Sequence, residues 1–188
     1  MPRRVDLEAV RQLRSLLAEY AKLDNLLGPA HVLALVSVHI QFIGELLTVA
    51  SGTVRTELLT AGGWYAEFAG WLHQDAGNLH AGMQWTDRAL SWAEAAEDPV
   101  MTAYVLMRKS NQASSAGDGA SALGLSRAAL HRHDRLTPRA RALALRQEAR
   151  GHALAGDGAA CARAIAKAQE EAALTEDPGE ADRVITGY

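Results

Sequence analysis

Apolar residues recur along this chain at spacings of three and four, and Gly, Pro and Asn/Asp interrupt them at intervals. That pattern predicts a succession of helices. Asp6 can cap a first helix running to about Leu26, with Leu7, Val10, Leu13, Leu17 and Leu23 on or near one face. Gly28-Pro29 ends it, and Pro29 opens a second helix to about Ala50. Val32, Leu35, Val36, Val38, Ile40, Phe42, Ile43 and Leu47 surround this second helix instead of lining one stripe. Burial on two sides is therefore expected, against neighbouring helices or a partner subunit. Ser51-Gly52-Thr53 forms a turn and cap, and a long third helix follows from Thr53 to about Ala76, with a bend expected at Gly62-Gly63. Five more helices are expected at about His80–Glu97, Pro99–Ala116, Gly119–His133, Pro138–Ala155 and Gly158–Leu174. The tail from Thr175 to Tyr188 has little periodicity and reads as frayed or unfinished. No alternating strand pattern occurs, so the expected class is all-α with about eight helices.

Three of the predicted helix ends share a triplet: Ala76-Gly77-Asn78, Ala116-Gly117-Asp118 and Ala155-Gly156-Asp157. The glycines are spaced by 40 and 39 residues, and other positions keep that register. Seven residues before each glycine stand Gly70, Ser110 and Ala149; further on stand Trp85, Leu125 and Ala164, then Ala89, Ala129 and Ala168. A period near 40 carried by small residues is the mark of stacked helical hairpins. Glycine ends a helix in a left-handed conformation, Asn or Asp favours the turn, and small residues let antiparallel axes approach.

This pattern resembles the tetratricopeptide repeat, with Gly in helix A, Gly-Asn/Asp at the turn and Ala in helix B. It departs from it in His73, where tyrosine is usual, in Cys161, where alanine is preferred, and in its longer period. Arg3-Arg4-Val5, Tyr20-Ala21-Lys22-Leu23-Asp24-Asn25, Ala69-Gly70-Trp71-Leu72, Asp75-Ala76-Gly77 and Ala103-Tyr104-Val105-Leu106 sharpen the likeness. Together they resemble the C-terminal half of actinobacterial helix-turn-helix transcriptional regulators, where a tetratricopeptide-like regulatory domain follows a DNA-binding domain. The resemblance implies a tetratricopeptide-like superhelix over residues 1–174, with an N-terminal hairpin at 6–50, repeats at 53–98, 99–137 and 138–174, and a tail at 175–188. The chain begins where the linker of such a regulator would lie, and so without its DNA-binding domain. It reads as a fragment or as a short relative.

Composition narrows the function classes. The 188 residues carry a net charge of −3 and a pI near 6.2, which argues against nucleic acid as a direct partner. One cysteine, Cys161, excludes an intramolecular disulfide and fits a reducing compartment. The apolar run from Val32 to Ile43 is too short to span a bilayer and contains His39 and Gln41, so a cytoplasmic location without membrane attachment is expected. The seven histidines invite a metal reading, yet no His-Glu-x-x-His, cysteine pair or carboxylate cluster accompanies them. No metal or other cofactor is expected. Neither a nucleophile elbow nor a phosphate-cradling loop is present, and the expectation is a non-enzyme.

Four tryptophans, Trp64, Trp71, Trp85 and Trp92, lie seven apart in two pairs, so each pair shares a helical face. Trp85 and Trp92 flank Ala89 and read as core. In tetratricopeptide geometry the groove-lining positions would be Trp64, Glu67, Trp71 and Gln74, then Tyr104, Met107 and Asn111, then Leu143, Arg146 and Arg150. An aromatic wall with a few polar groups suits a peptide or small-molecule site; the same positions could equally stack on a neighbouring helix. Arginines 127, 132, 135, 139, 141, 146 and 150 form either a solvated face or a dock for an acidic partner or phosphate. His73 reads as an interior imidazole and Cys161 as a buried thiol.

The function expected is that of a regulatory, ligand- or partner-binding and dimerising domain of a transcriptional regulator. The alternative is a freestanding adaptor that binds a peptide or protein in a biosynthetic or signalling pathway. A homodimer is expected through the second helix, at Val32, Val36, Ile40, Ile43 and Leu47.

Overall fold

A computed structural model describes residues 5–131, 134 and 136–174. The predicted tail at 175–188, and Arg132, His133 and Arg135 of the arginine run, lie outside the described residues. Eight α-helices are described: α1 (Leu7–Leu27), α2 (Pro29–Leu47), α3 (Gly52–Asp75), α4 (Leu79–Ala95), α5 (Pro99–Ser115), α6 (Gly119–Leu130), α7 (Pro138–Leu154) and α8 (Gly158–Ala173). The all-α class and the hairpin arrangement are as the sequence predicts. The described residues divide into two compact units, the first ending at Asp98 and the second beginning at Pro99, at one of the expected repeat boundaries.

In the first unit α3 packs against α1, α2 and α4. Leu58, Tyr65, Phe68 and Leu72 of α3 are almost completely buried among Val10, Leu13 and Leu17 of α1 and Val36 and Ile43 of α2. Each such side chain contributes about 1.5–3 kcal/mol through its removal from water. The Tyr65 hydroxyl, buried with its ring, donates to the Leu13 carbonyl oxygen at 2.7 Å and ties α3 to α1. Burial, and then the nearby Tyr20, raises the Tyr65 pKa, so the phenol stays a donor. α3 is helical through Gly62-Gly63. The absent side chain makes room for a neighbour: a Cβ on Gly62 would lie 2.7 Å from the Trp92 ring and 3.0 Å from Ile43.

One local structure joins the helices of three hairpins. Gly77, Gly117 and Gly156 adopt φ of 80°, 78° and 75°, a region open to glycine at little cost. The next residue's N–H reaches back to the helix: Asn78 to the His73 carbonyl at 2.8 Å, Asp118 to Ala113 at 2.9 Å, Asp157 to His152 at 3.0 Å. The same Asn or Asp then caps the following helix, its side chain accepting from Ala81, Ser121 or Ala160 at 3.1, 2.9 and 2.9 Å. One residue thus closes one helix and opens the next. Glu97, a non-glycine at φ 53°, makes a similar turn after α4, with the Asp98 N–H donating to the Ala93 carbonyl at 3.1 Å. Nothing in the sequence pattern marks that position.

The hairpins close on small residues. A Cβ on Gly70 would lie 2.8 Å from Thr86 Oγ1 and 3.1 Å from the Gly82 carbonyl; one on Gly82 would lie 3.0 Å from the Gly70 carbonyl. In the second unit the same register places Ser110 against α6, its hydroxyl donating to the Ala122 carbonyl at 2.8 Å. Across α6 and α7, a Cβ on Gly151 would meet Leu123 at 2.7 Å. Ala89, Ala129 and Ala168, the other register alanines, are all buried.

By length and composition α2 could cross a membrane, with a mean hydropathy of 1.6 over its apolar window; the whole helix exceeds the Val32–Ile43 run read from the sequence. It also carries His39, Gln41 and Glu45, and its inward stripe packs on α1 and α3.

These contacts set opposite signs for two glycine substitutions. Gly82→Ala meets backbone and should lose about 1–3 kcal/mol of stability. Gly44→Ala, with open space around its Cβ, should gain about 0.5–1 kcal/mol from reduced chain entropy in α2. Urea unfolding of the two variants checks both signs.

Candidate functional site

The groove residues expected from the sequence fall on α3 in the first unit and on α5 and α7 in the second. In the first unit Trp64, Trp71 and Gln74 are half-buried and Glu67 is buried at 3% exposure. Trp64 and Trp71 pack against the unit's hydrophobic core, as Trp85 and Trp92 do. In the second unit Tyr104, Asn111 and Leu143 are half-buried, Met107 is buried, and Arg146 and Arg150 are exposed.

Trp71 has a polar partner that the sequence did not indicate. Its indole N–H donates to the carboxylate of Asp24, in the last turn of α1. Asp24 is 9% exposed, and its Oδ1 is buried without a hydrogen-bond partner. Its backbone carbonyl accepts from the Gly28 N–H at 2.8 Å, which closes α1. Burial raises the Asp24 pKa, the charge of Asp75 raises it further, and the Trp71 bond opposes the rise. His73 is half-buried on α3, and desolvation holds its imidazole below the ordinary range, in the neutral form.

The five residues expected at a dimer interface require a correction. Val32, Val36, Ile40, Ile43 and Leu47 are 1%, 0%, 3%, 0% and 8% exposed, all within the core of the first unit. They form the inward stripe of α2, so Val36→Glu would disrupt the fold before it could report on association. The outward apolar row is a different one: Leu35, Val38 and Phe42, at 45%, 64% and 45% exposure, with Val49 beyond the helix end. A helix apolar all round does not reveal in sequence which of its faces the fold will take.

Two of the clefts among the described residues each lie within one unit and carry residues of the expected groove or of α2. The first, about 680 Å³, runs between α2 and α4 and is lined by Ser37, Ile40, Gln41, Glu45, Trp85 and Arg88, among others. Arg88 also lies over the Trp92 ring, 4.5 Å from its centroid. The second, about 580 Å³, lies between α7 and α8, with Ala142, Leu143, Ile165 and Ala168 below Arg139, Arg146 and Gln169. Two arginines of the run are paired within the second unit. Arg127 pairs with Glu148 at 3.1 Å and Arg141 with Glu171, on α8, at 2.8 Å. Among the described residues no three His, Cys, Asp or Glu side chains gather into a set that could hold a metal ion. Cys161 is half-buried.

The arrangement defines a class: an all-α protein of antiparallel helical hairpins whose surfaces offer aromatic, apolar and charged recognition groups. No family model matches the chain, and no curated protein or solved structure does either.

Because the Asp24 pKa is raised in the fold, its ionised form opposes folding at neutral pH. That penalty disappears as the pH falls through the folded pKa towards the ordinary carboxylate range, about 3.9. Asp24→Asn keeps an acceptor for Trp71 and removes the charge. It should raise the melting temperature at pH 7, with the gain shrinking towards pH 4; melting curves at the two pH values check this.

Proposed function

We propose that this chain is a tetratricopeptide-like regulatory domain of a transcriptional regulator, one that binds an effector and pairs with a second copy. The observation that carries the reading is the double use of α2. Its outward row of Leu35, Val38 and Phe42 follows the three–four spacing of a helix–helix seam. One turn around the same helix, Gln41, Glu45 and Thr48 form a wall of the cleft opposite Trp85 and Arg88.

A seam of this kind is self-complementary under a two-fold axis, as paired regulators require. An effector held between α2 and α4 would touch Trp85 with an apolar face and Arg88, Glu45 or Gln41 with polar groups. Binding there fixes α2 relative to α4 and so biases how the outward seam pairs. The coupling needs no chemistry on the effector. In this reading the domain acts in the cytoplasm, and attached or associated units bind the DNA.

Sedimentation velocity of the purified chain tests the reading. A dimer at tens of micromolar is the expected result, and Phe42→Glu should convert it to monomer without loss of helical signal. A monomer at that concentration would refute the two-fold pairing.

A further inference from the structure

The cleft between α2 and α4 holds an acid and a base that do not meet. Glu45 lines it from α2 and Arg88 from α4, both exposed, and α2 and α4 each pack on α3. Among the described residues neither has an ion-pair partner. Glu45 accepts one side-chain hydrogen bond, from Gln41 Nε2 at 3.3 Å. Arg88 lies 4.5 Å from the centroid of the Trp92 ring, a contact that supplies no acceptor for its N–H groups. Trp85, on the same wall, is half-buried, and its indole N–H has no acceptor among the described residues. Donors therefore stand on α4 and a carboxylate on α2.

The space between the two walls is open because a side chain is missing. Ser37, Gly44 and Thr48 follow one stripe along α2 and its C-cap, and all three line the cleft. A Cβ on Gly44 would meet nothing within 4 Å. At Gly62, Gly70 and Gly82 of the same unit, a Cβ would lie 3.0 Å or less from a neighbour. Packing accounts for those three glycines and not for Gly44. Glycine inside a helix costs stability relative to alanine, and what Gly44 leaves is room in the cleft, beside the buried Ile40 and Trp85.

We infer that this cleft takes a small zwitterion with an apolar middle, of the size of a dipeptide with both ends free. Its ammonium group meets Glu45, its carboxylate meets Arg88, and its apolar body lies over Gly44 against Trp85. A ligand of one sign alone would gain one of these charges and be repelled by the other. A zwitterion gains a charge-assisted hydrogen bond at each end. The volume, about 680 Å³, lies within the range of small-molecule sites, about 300–1,000 Å³. The inference rests on the α2–α4 cleft being the effector site proposed above, and not on the pairing of two copies.

Titration calorimetry of the 188-residue chain with L-leucyl-L-phenylalanine tests it. The dipeptide should bind once per chain, with a Kd of about 1 mM or tighter. Acetylating its amino end, or amidating its carboxyl end, should each weaken binding by about tenfold or more. Glu45→Gln should erase the loss caused by acetylation and keep that caused by amidation; Arg88→Gln should do the reverse. Gly44→Leu should fill the cleft and abolish binding, with the helical signal unchanged. Absence of binding, equal affinity for the three forms of the dipeptide, or binding that persists in Gly44→Leu would each overturn the inference. If the dipeptide fails to bind while the chain still sediments as a dimer that Phe42→Glu splits, the ligand class falls and the pairing stands. A monomer that binds the dipeptide with this charge pattern upholds the ligand class and removes the pairing.

Discussion

The close crossing of α3 and α4 is the constraint on which the hairpin form depends. Two antiparallel helices joined by so short a turn must approach tightly, and here a glycine backbone meets a glycine backbone at Gly70 and Gly82. Thr86 completes the contact, its hydroxyl donating to the Gly82 carbonyl at 2.8 Å inside a fully buried site. Ser110, Ala122 and Ser126 take the same register positions in the next hairpin, all of them buried. The Ser110 hydroxyl donates across the hairpin to the Ala122 carbonyl oxygen and the Ser126 hydroxyl to the Leu123 carbonyl oxygen, so small size is obtained there without leaving a polar group unsatisfied.

The helices and their turns were legible because each turn is encoded locally. A glycine that must take positive φ, followed by a residue that both closes and caps, leaves a mark at three places. Helix boundaries read from that mark fall within a few residues of those described. Glu97 leaves no such mark, because a non-glycine there takes a conformation that only the surrounding packing selects. The division at Asp98 was visible as a repeat boundary, though not as a boundary between compact units.

The candidate site was less legible, for a physical reason. Periodicity places residues on a helix face but does not say which face the neighbours cover. On α2 the apolar residues supply two seams, and periodicity alone does not tell the inward one, with Val36 and Ile43 at its centre, from the outward one. Asp24 and Trp71 are 47 positions apart in sequence, and only the packing of α1 against α3 brings carboxylate and indole together. The hairpins provide rigid helices, and recognition groups such as Trp85, Arg88 and Phe42 stand on their outer faces. Function in such a protein follows from which faces remain open, and that is a tertiary property.

A double-mutant cycle between Gly70→Ala and Thr86→Ala tests most directly whether the close crossing governs the hairpin. If the added methyl is costly because it meets Thr86 Oγ1, removing that hydroxyl must relieve it. The double variant should then be more stable than the sum of the two single losses predicts, by about 0.5–3 kcal/mol, the range of contacting pairs. Losses that add to within about 0.3–0.5 kcal/mol, as for independent sites, would contradict the account.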